Sequence, residues 1–82
     1  MAKYGFESKM NPQKIVEKAL NFFGEGGMNL NIADQSACCA QFTGGGGHID
    51  LFTVPGSRGK TKVIIETREW DRDVRKFMGK IR

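Results

Sequence analysis

The sequence predicts an α+β fold of order β-α-β-β-β-β-α, a two-layer sandwich in which two helices cover one face of an antiparallel sheet. Polar and apolar residues alternate through 28–66, and turn-forming loops interrupt the alternation. Before and after this region, apolar residues recur at the three- and four-residue spacing of a helix. An antiparallel sheet with one solvated face gives such alternation, and two amphipathic helices can cover its other face. We therefore expect a single domain over residues 1–82.

Loop lengths set the predicted register of four alternating strands, which span roughly 28–33, 37–43, 48–54 and 60–68. The connecting loops are a three-residue turn at 34–36, the glycine run Gly44–Gly47, and Pro55–Gly59. Directly opposed residues share a face, and a slip of one residue would exchange the two faces. The predicted pairs include Ile32 with Cys38, Cys39 with Phe52, Gln41 with Asp50, and Phe52 with Lys62.

This register sorts the side chains into an apolar face and a polar face. The predicted apolar face consists of Met28, Leu30, Ile32, Cys38, Ala40, Phe42, Ile49, Leu51, Thr53, Val63 and Ile65. The predicted polar face consists of Asn29, Asn31, Cys39, Gln41, His48, Asp50, Phe52, Lys60, Lys62, Ile64 and Glu66.

The remaining elements lie at the two ends of the chain. Residues 2–8 alternate and predict a short strand, which we expect beside the strand that begins at Lys60, because the following helix must cross the sheet. Asn11 is the expected cap of the first helix, with Pro12 at its first position and Gly24 as its stop. Asp71 is the expected cap of the last helix, whose apolar positions are Val74, Phe77, Met78 and Ile81.

Composition limits the protein class. The chain has 82 residues, a net charge of +4 and 39% hydrophobic residues, which is ordinary for a small globular domain. No apolar run approaches the roughly 20 residues of a membrane span, and the N-terminus lacks the apolar core of a signal peptide. We therefore expect a cytoplasmic protein with no membrane association, and two reduced thiols, with Cys38 in the core and Cys39 on the surface.

No catalytic or metal-binding set is expected. Neighbouring strand residues point to opposite faces, so Cys38 and Cys39 should not share an ion, and a tetrahedral zinc site needs four ligands. The register places Cys39 about 13 Å from His48, and His48 about 6.6 Å from Asp50 along one strand. Both separations exceed the roughly 3 Å of a nucleophile–base pair. The glycine run predicts a hairpin loop rather than a phosphate loop, since a strand follows it. No cofactor is expected.

The polar face is the candidate binding surface. Phe52 is expected near its centre, flanked by Cys39 and Lys62, with Asn31 beyond and with Val54 and Ile64 close by. Asn29, Gln41 and Asp50 should form an adjoining row. An exposed aromatic side chain beside apolar neighbours can anchor a partner or stack a base. A solvated face with a few scattered apolar residues explains the pattern equally well.

Three functions remain open, and none is enzymatic. An enzyme would need partner chains to complete its site. The leading one is a binding or assembly module that forms a homodimer through the polar face. The alternative is a nucleic-acid-binding module in which Phe52 stacks on bases while Arg58, Lys60 and Lys62 lie near phosphates. The third is a small-ligand pocket between the C-terminal helix and the sheet, which the large core residues should fill.

The predicted element order resembles a half-repeat of the TATA-binding-protein fold, and also a shortened helix-grip module, over nearly the whole chain. The stretches Gly44–His48 and Thr67–Asp71 are similar to a small group of uncharacterised bacterial proteins. These resemblances imply a fold and neither a function nor a site residue.

Overall fold

The computed structural model describes residues 2–82 and contains a five-stranded antiparallel sheet in the order β1-β5-β4-β3-β2. Two helices pack on one face of this sheet, so the predicted α+β sandwich and the position of the first strand are confirmed. A single 3₁₀ turn, Ser57–Gly59, lies between β4 and β5. The elements are β1 (Ala2–Ser8), α1 (Pro12–Phe23), β2 (Asn31–Gln35), β3 (Cys39–Gly44), β4 (Gly47–Pro55), β5 (Thr61–Arg68) and α2 (Asp71–Lys80).

Local chemistry explains where the helices begin. The Asn11 side chain accepts a hydrogen bond from the Lys14 amide (2.8 Å) at the start of α1, as predicted. The predicted cap of α2 is wrong, because Trp70 occupies the cap position. The Trp70 indole N–H donates to the carbonyl of Gly44 (3.1 Å), and this contact holds the chain at the corner between β5 and α2. Asp71 is the first residue of α2 and accepts a hydrogen bond from the Tyr4 hydroxyl instead.

The core lies between the helices and the sheet. Phe23 of α1 packs its ring 5.4 Å from that of Phe42 on β3 and 5.0 Å from that of Phe77 on α2. All three side chains are buried, so one aromatic cluster joins both helices to the sheet. The side chains that fill the rest of this layer are Ile15, Ala19, Ala40, Ile49, Leu51, Val63, Ile65, Val74 and Ile81.

The register between β4 and β5 differs from the prediction by two residues. Phe52 lies opposite Ile64 rather than Lys62, and Lys62 lies opposite Val54. The loop closes later than predicted because the Gly56 amide donates to the Lys60 carbonyl (2.9 Å), which carries β4 through Pro55. A shift of two residues leaves every side chain on its face, so the predicted division into faces survives here.

The predicted strand at 28–33 and its register are wrong. Residues 28–30 donate their amides to carbonyls at the end of α1, which holds them out of the sheet. The strand starts at Asn31 and pairs Ile32 with Phe42 instead of Cys38, with a bulge before Asp34. Ile32 therefore lies at the sheet edge with 40% of its surface exposed, instead of in the core.

Candidate functional site

The candidate site is the sheet surface opposite the helices, which we call the open face. Directly opposed residues place Gly5, Ile64, Phe52 and Cys39 in one row across β1, β5, β4 and β3. We call this line the apolar row. The strands that carry it are fixed from behind by the fully buried side chains of Leu51, Val63 and Ile65.

The apolar row leaves hydrophobic surface exposed at the centre of the open face. Phe52 is 36% exposed and Val54, two residues further along β4, is 42% exposed. Ile64 and Cys39 are half-buried on either side of Phe52. Gly5 has no side chain, so it leaves the outer side of Ile64 uncovered. The result is a contiguous apolar patch rather than scattered single residues.

A polar row borders this patch on one side. Asp50 lies between Gln41 and Glu66, and Lys3 Nζ approaches Glu66 Oε1 to 3.7 Å. His48 Nε2 lies 3.8 Å from Asp50 Oδ2. On β1, β4 and β5, the open face carries three cations and three carboxylates, so these strands present no excess of positive charge. These charged residues are Lys3, Glu7, Asp50, Lys62, Glu66 and Arg68.

The structure brings most of the predicted site residues together. Cys39, Phe52, Val54 and Ile64 form the patch, and Gln41 lies beside Asp50 as predicted. The predicted contact of Lys62 with Phe52 is wrong, because the loop shift moves Lys62 to the end of the patch beside Val54.

Asn31 is not part of the patch. It lies opposite Thr43, four residues along β3 from Cys39, or about 13 Å away. The prediction missed Lys3, Gly5 and Glu7 of β1, which lie on the same open face. The sequence could have predicted this position. Side chains alternate along a strand, so Tyr4 and Phe6 on the apolar side place Lys3, Gly5 and Glu7 on the opposite side.

The two cysteines form a disulfide, so the prediction of reduced thiols is wrong. Cys38 precedes β3 and lies in the turn, where the alternation of a strand does not apply, and both sulfurs therefore meet. The predicted burial of Cys38 is wrong as well, since it is exposed. Its carbonyl accepts hydrogen bonds from the Thr53 amide (3.1 Å) and hydroxyl (2.7 Å), which fixes the disulfide at the end of the apolar row.

Glu7 lies at the opposite end of the open face from His48. Its carboxylate accepts hydrogen bonds from the Ser57 amide (2.8 Å) and hydroxyl (2.9 Å). These bonds, the backbone one first, lower the pKa of Glu7, and the nearby Lys60 and Lys62 lower it further. The two lysines that a nucleic acid would need therefore already lie close to a carboxylate.

The chemistry of the open face offers no nucleophile–base pair. Cys39 is part of the disulfide and carries no thiol. His48 and Asp50 approach more closely than the predicted 6.6 Å, but 3.8 Å is longer than a hydrogen bond. Residues 2–82 contain no group of three or more His, Cys, Asp or Glu placed to hold a metal ion.

The helix side carries a shallow groove between α1 and α2. Its volume is about 280 Å³, and Phe22 and Phe77 line it together with Lys18, Asn21 and Lys80. The space between α2 and the sheet is filled by the buried Val74, Phe77 and Ile81. The groove therefore does not lie between the C-terminal helix and the sheet, where the third hypothesis places a small-ligand pocket.

The protein is a two-layer α+β domain in which the helices cover one face of the antiparallel sheet and leave the open face uncovered. Comparison with protein-family models, with curated proteins and with solved structures finds no match for this chain. The resemblance to the TATA-binding-protein half-repeat and to helix-grip modules stays a prediction. Within the described part of the chain, no helix is long and apolar enough to cross a bilayer.

Proposed function

We propose that this protein is a non-enzymatic assembly module that forms a homodimer through the open face. The observation that carries the proposal is the apolar row, in which Phe52 lies centrally and stays 36% exposed between Ile64 and Cys39. Aromatic side chains at the centre of a patch are where association energy concentrates. Covering this patch with a second copy removes the exposed side chains of Phe52 and Val54 from water.

Charge favours a second copy over a nucleic acid. The three cations and three carboxylates of β1, β4 and β5 balance, so two identical faces meet without net repulsion. A nucleic acid is bound mainly through its phosphates, which need an excess of cations. Glu7 also lies beside Lys60 and Lys62 and offsets their charge.

The redox state of Cys38 and Cys39 in the cell depends on the compartment in which the protein resides. A cytoplasmic location remains our proposal, and reducing buffers of the cytoplasm keep most protein thiols reduced. Trapping the thiols of the protein in intact cells, followed by mass measurement, will give the redox state of Cys38 and Cys39. Fully oxidised cysteines would argue against a cytoplasmic location.

A matched pair of truncations tests the open face. Phe52→Ala should weaken dimerisation by about 2 kcal/mol, or roughly thirty-fold in the dissociation constant, measured by sedimentation equilibrium. Ile32→Ala is the control, because Ile32 is similarly exposed (40%) but lies on the edge strand β2, on the helix side of the sheet. The control should leave the dissociation constant unchanged.

Two results would contradict the proposal. One is a parent protein that stays monomeric at every accessible concentration. The other is an equal effect of both substitutions. Tight oligonucleotide binding that weakens steeply with salt and is lost in Phe52→Ala would replace self-association with nucleic-acid binding.

A further inference from the structure

The two edges of the sheet differ in how they are protected. At one edge, β2 is only five residues long and contains a bulge before Asp34. At the other edge, β1 has seven residues and pairs with β5 in unbroken register from Ala2 to Ser8, without proline or bulge. Edge strands present unpaired backbone N–H and C=O groups, and short or bulged edges prevent pairing with another chain. The β1 edge lacks these protections.

We propose that β1 pairs with β1 of a second copy, antiparallel and centred on Gly5, to form a continuous ten-stranded sheet. This register places Lys3 opposite Glu7 of the second copy and Tyr4 opposite Phe6 of the second copy. The twofold symmetry makes each of these pairs twice. This pairing forms through the backbone groups at the outer side of β1, whereas the proposed homodimer forms through the apolar patch around Phe52.

Charge selects this register over its neighbours. Moving the pairing by two residues in either direction, the smallest shift that keeps both open faces on the same side, places Lys3 or Glu7 opposite Gly5 and removes both oppositely charged pairs. Cross-strand pairs of opposite charge and of aromatic rings stabilise antiparallel sheets. Gly5 lies on the symmetry axis, where two larger side chains would otherwise meet.

The helix side of the edge is self-complementary in the same register. The Tyr4 hydroxyl donates to Asp71 Oδ2 (3.2 Å), and the Arg82 guanidinium lies 5.5 Å from the centre of the Phe6 ring. Pairing Tyr4 with Phe6 of the second copy therefore brings Asp71 towards Arg82 of that copy. The single register centred on Gly5 therefore brings a charged pair and an aromatic pair together across the edge, and brings Asp71 towards Arg82 above them.

The joined sheet has room for both helices. Helix α2 packs mainly on β5, one strand inside the edge, and Asp71 at its start and Arg82 just after its end reach β1 with their side chains. Strands in a sheet are spaced about 4.8 Å apart, so the two β5 strands would lie about 14 Å from each other. Packed helices need only about 8–10 Å between their axes. The twofold axis runs perpendicular to the sheet, so both open faces stay on the same side.

Crosslinking tests the register directly. Gly5→Cys should fold, because a Cβ at this position meets only the Val63 carbonyl oxygen at 4.0 Å. Directly opposed residues in an antiparallel pair lie about 4.5–5.5 Å apart between Cα atoms, which suits a disulfide. In a Phe52→Ala background, mild oxidation should convert Gly5→Cys into a covalent dimer. The matched control is Lys62→Cys in the same background, exposed on the neighbouring strand, which should remain uncoupled.

Charge exchange provides the second test, again in the Phe52→Ala background. Lys3→Glu alone and Glu7→Lys alone each place like charges across the edge and should weaken dimerisation about tenfold. An equimolar mixture should restore it, because the heterodimer recovers both Lys–Glu pairs. Glu7→Lys also loses the Ser57 hydrogen bonds, so its melting curve must show a folded protein; otherwise the crosslink alone decides.

The edge pairing is overturned if Gly5→Cys couples no faster than Lys62→Cys, or if two folded charge variants fail to dimerise when mixed. Because every protein in these tests carries Phe52→Ala, failure of the edge pairing leaves the open-face proposal standing. Failure of the open-face proposal likewise leaves the edge tests interpretable.

Discussion

At the scale of single residues, the disulfide between Cys38 and Cys39 is the feature with the clearest chemical consequence. The bridge joins adjacent residues, so it closes the smallest loop that two cysteines can form. In the chain-entropy view, a disulfide stabilises a protein more when the loop is longer. The bridge therefore shapes the turn before β3 rather than supplying much of the free energy of unfolding.

We predict that replacing both cysteines by serine lowers the free energy of unfolding by about 1 kcal/mol. The measurement is a pair of urea titrations on the parent and on the Cys38→Ser, Cys39→Ser variant. The unreduced parent should also take up no iodoacetamide. Rapid labelling before reduction, or a loss above about 3 kcal/mol, would contradict this assignment.

At the scale of elements, two side-chain contacts join segments that are close in space but distant in sequence. Glu7 of β1 binds Ser57 in the turn between β4 and β5, and Trp70 before α2 packs against the Gly44–Gly47 loop. Neither contact belongs to a strand ladder or a helix. Each one ties a loop to an element that is distant in sequence.

The contact of Glu7 with Ser57 predicts a pH dependence. Its hydrogen bonds hold the pKa of Glu7 below the ordinary value of 4.5 in the folded protein, so the unfolded chain binds the proton more readily. The stabilisation is therefore present above that ordinary value and is lost as the pH falls through the folded pKa. Urea midpoints should show Glu7→Gln less stable than the parent near about pH 7, with the difference shrinking towards about pH 3. A difference independent of pH would exclude this role.

The contact of Trp70 with the glycine loop predicts unequal effects at two neighbouring glycines. Gly45 and Gly46 both have positive φ angles, 59° and 82°, so alanine should be disfavoured at each by about 1 kcal/mol. A Cβ at Gly45 would also lie 2.5 Å from the Trp70 ring, whereas a Cβ at Gly46 meets nothing within 4 Å. Thermal unfolding should therefore show Gly45→Ala less stable than Gly46→Ala. Equal melting temperatures would mean that the ring moves freely.

The sequence predicts those parts of the fold in which loop length alone sets the strand register. The pairing of Cys39 with Phe52 follows from the length of the glycine loop alone and is confirmed. The register of β5 depends on how the loop after Pro55 closes, which loop composition does not reveal. The start of β2 depends on hydrogen bonds from residues 28–30 to the end of α1, which override the alternating pattern there. The apolar row could be predicted because a register error of two residues leaves each side chain on the same face of the sheet. The predicted position of Asn31 along its strand, by contrast, is wrong.

At the scale of the whole molecule, the open face and the β1 edge are separate surfaces whose symmetry axes differ. Edge pairing keeps both open faces on one side of a ten-stranded sheet. Stacking two such sheets face to face adds a second twofold axis that lies parallel to the sheets, perpendicular to the first. Where the two axes intersect, the assembly closes at four copies, and where they do not, it continues to grow.

We predict a closed tetramer for the parent protein at high concentration, because the apolar row runs across the strands to Gly5, so a twofold axis along this row meets the edge axis at the position of Gly5. Phe52→Ala should leave a dimer held by the edge. Lys3→Glu combined with Glu66→Lys places like charges across the edge but keeps the charge balance of the open face, so it should leave a dimer held by the open face. The combined variant, which carries all three substitutions, should be monomeric at the same concentration. Light scattering coupled to size-exclusion chromatography measures all four masses in one series. A parent mass that increases without limit as concentration rises would show that the two axes do not meet, and a combined variant that remains dimeric would require a third surface.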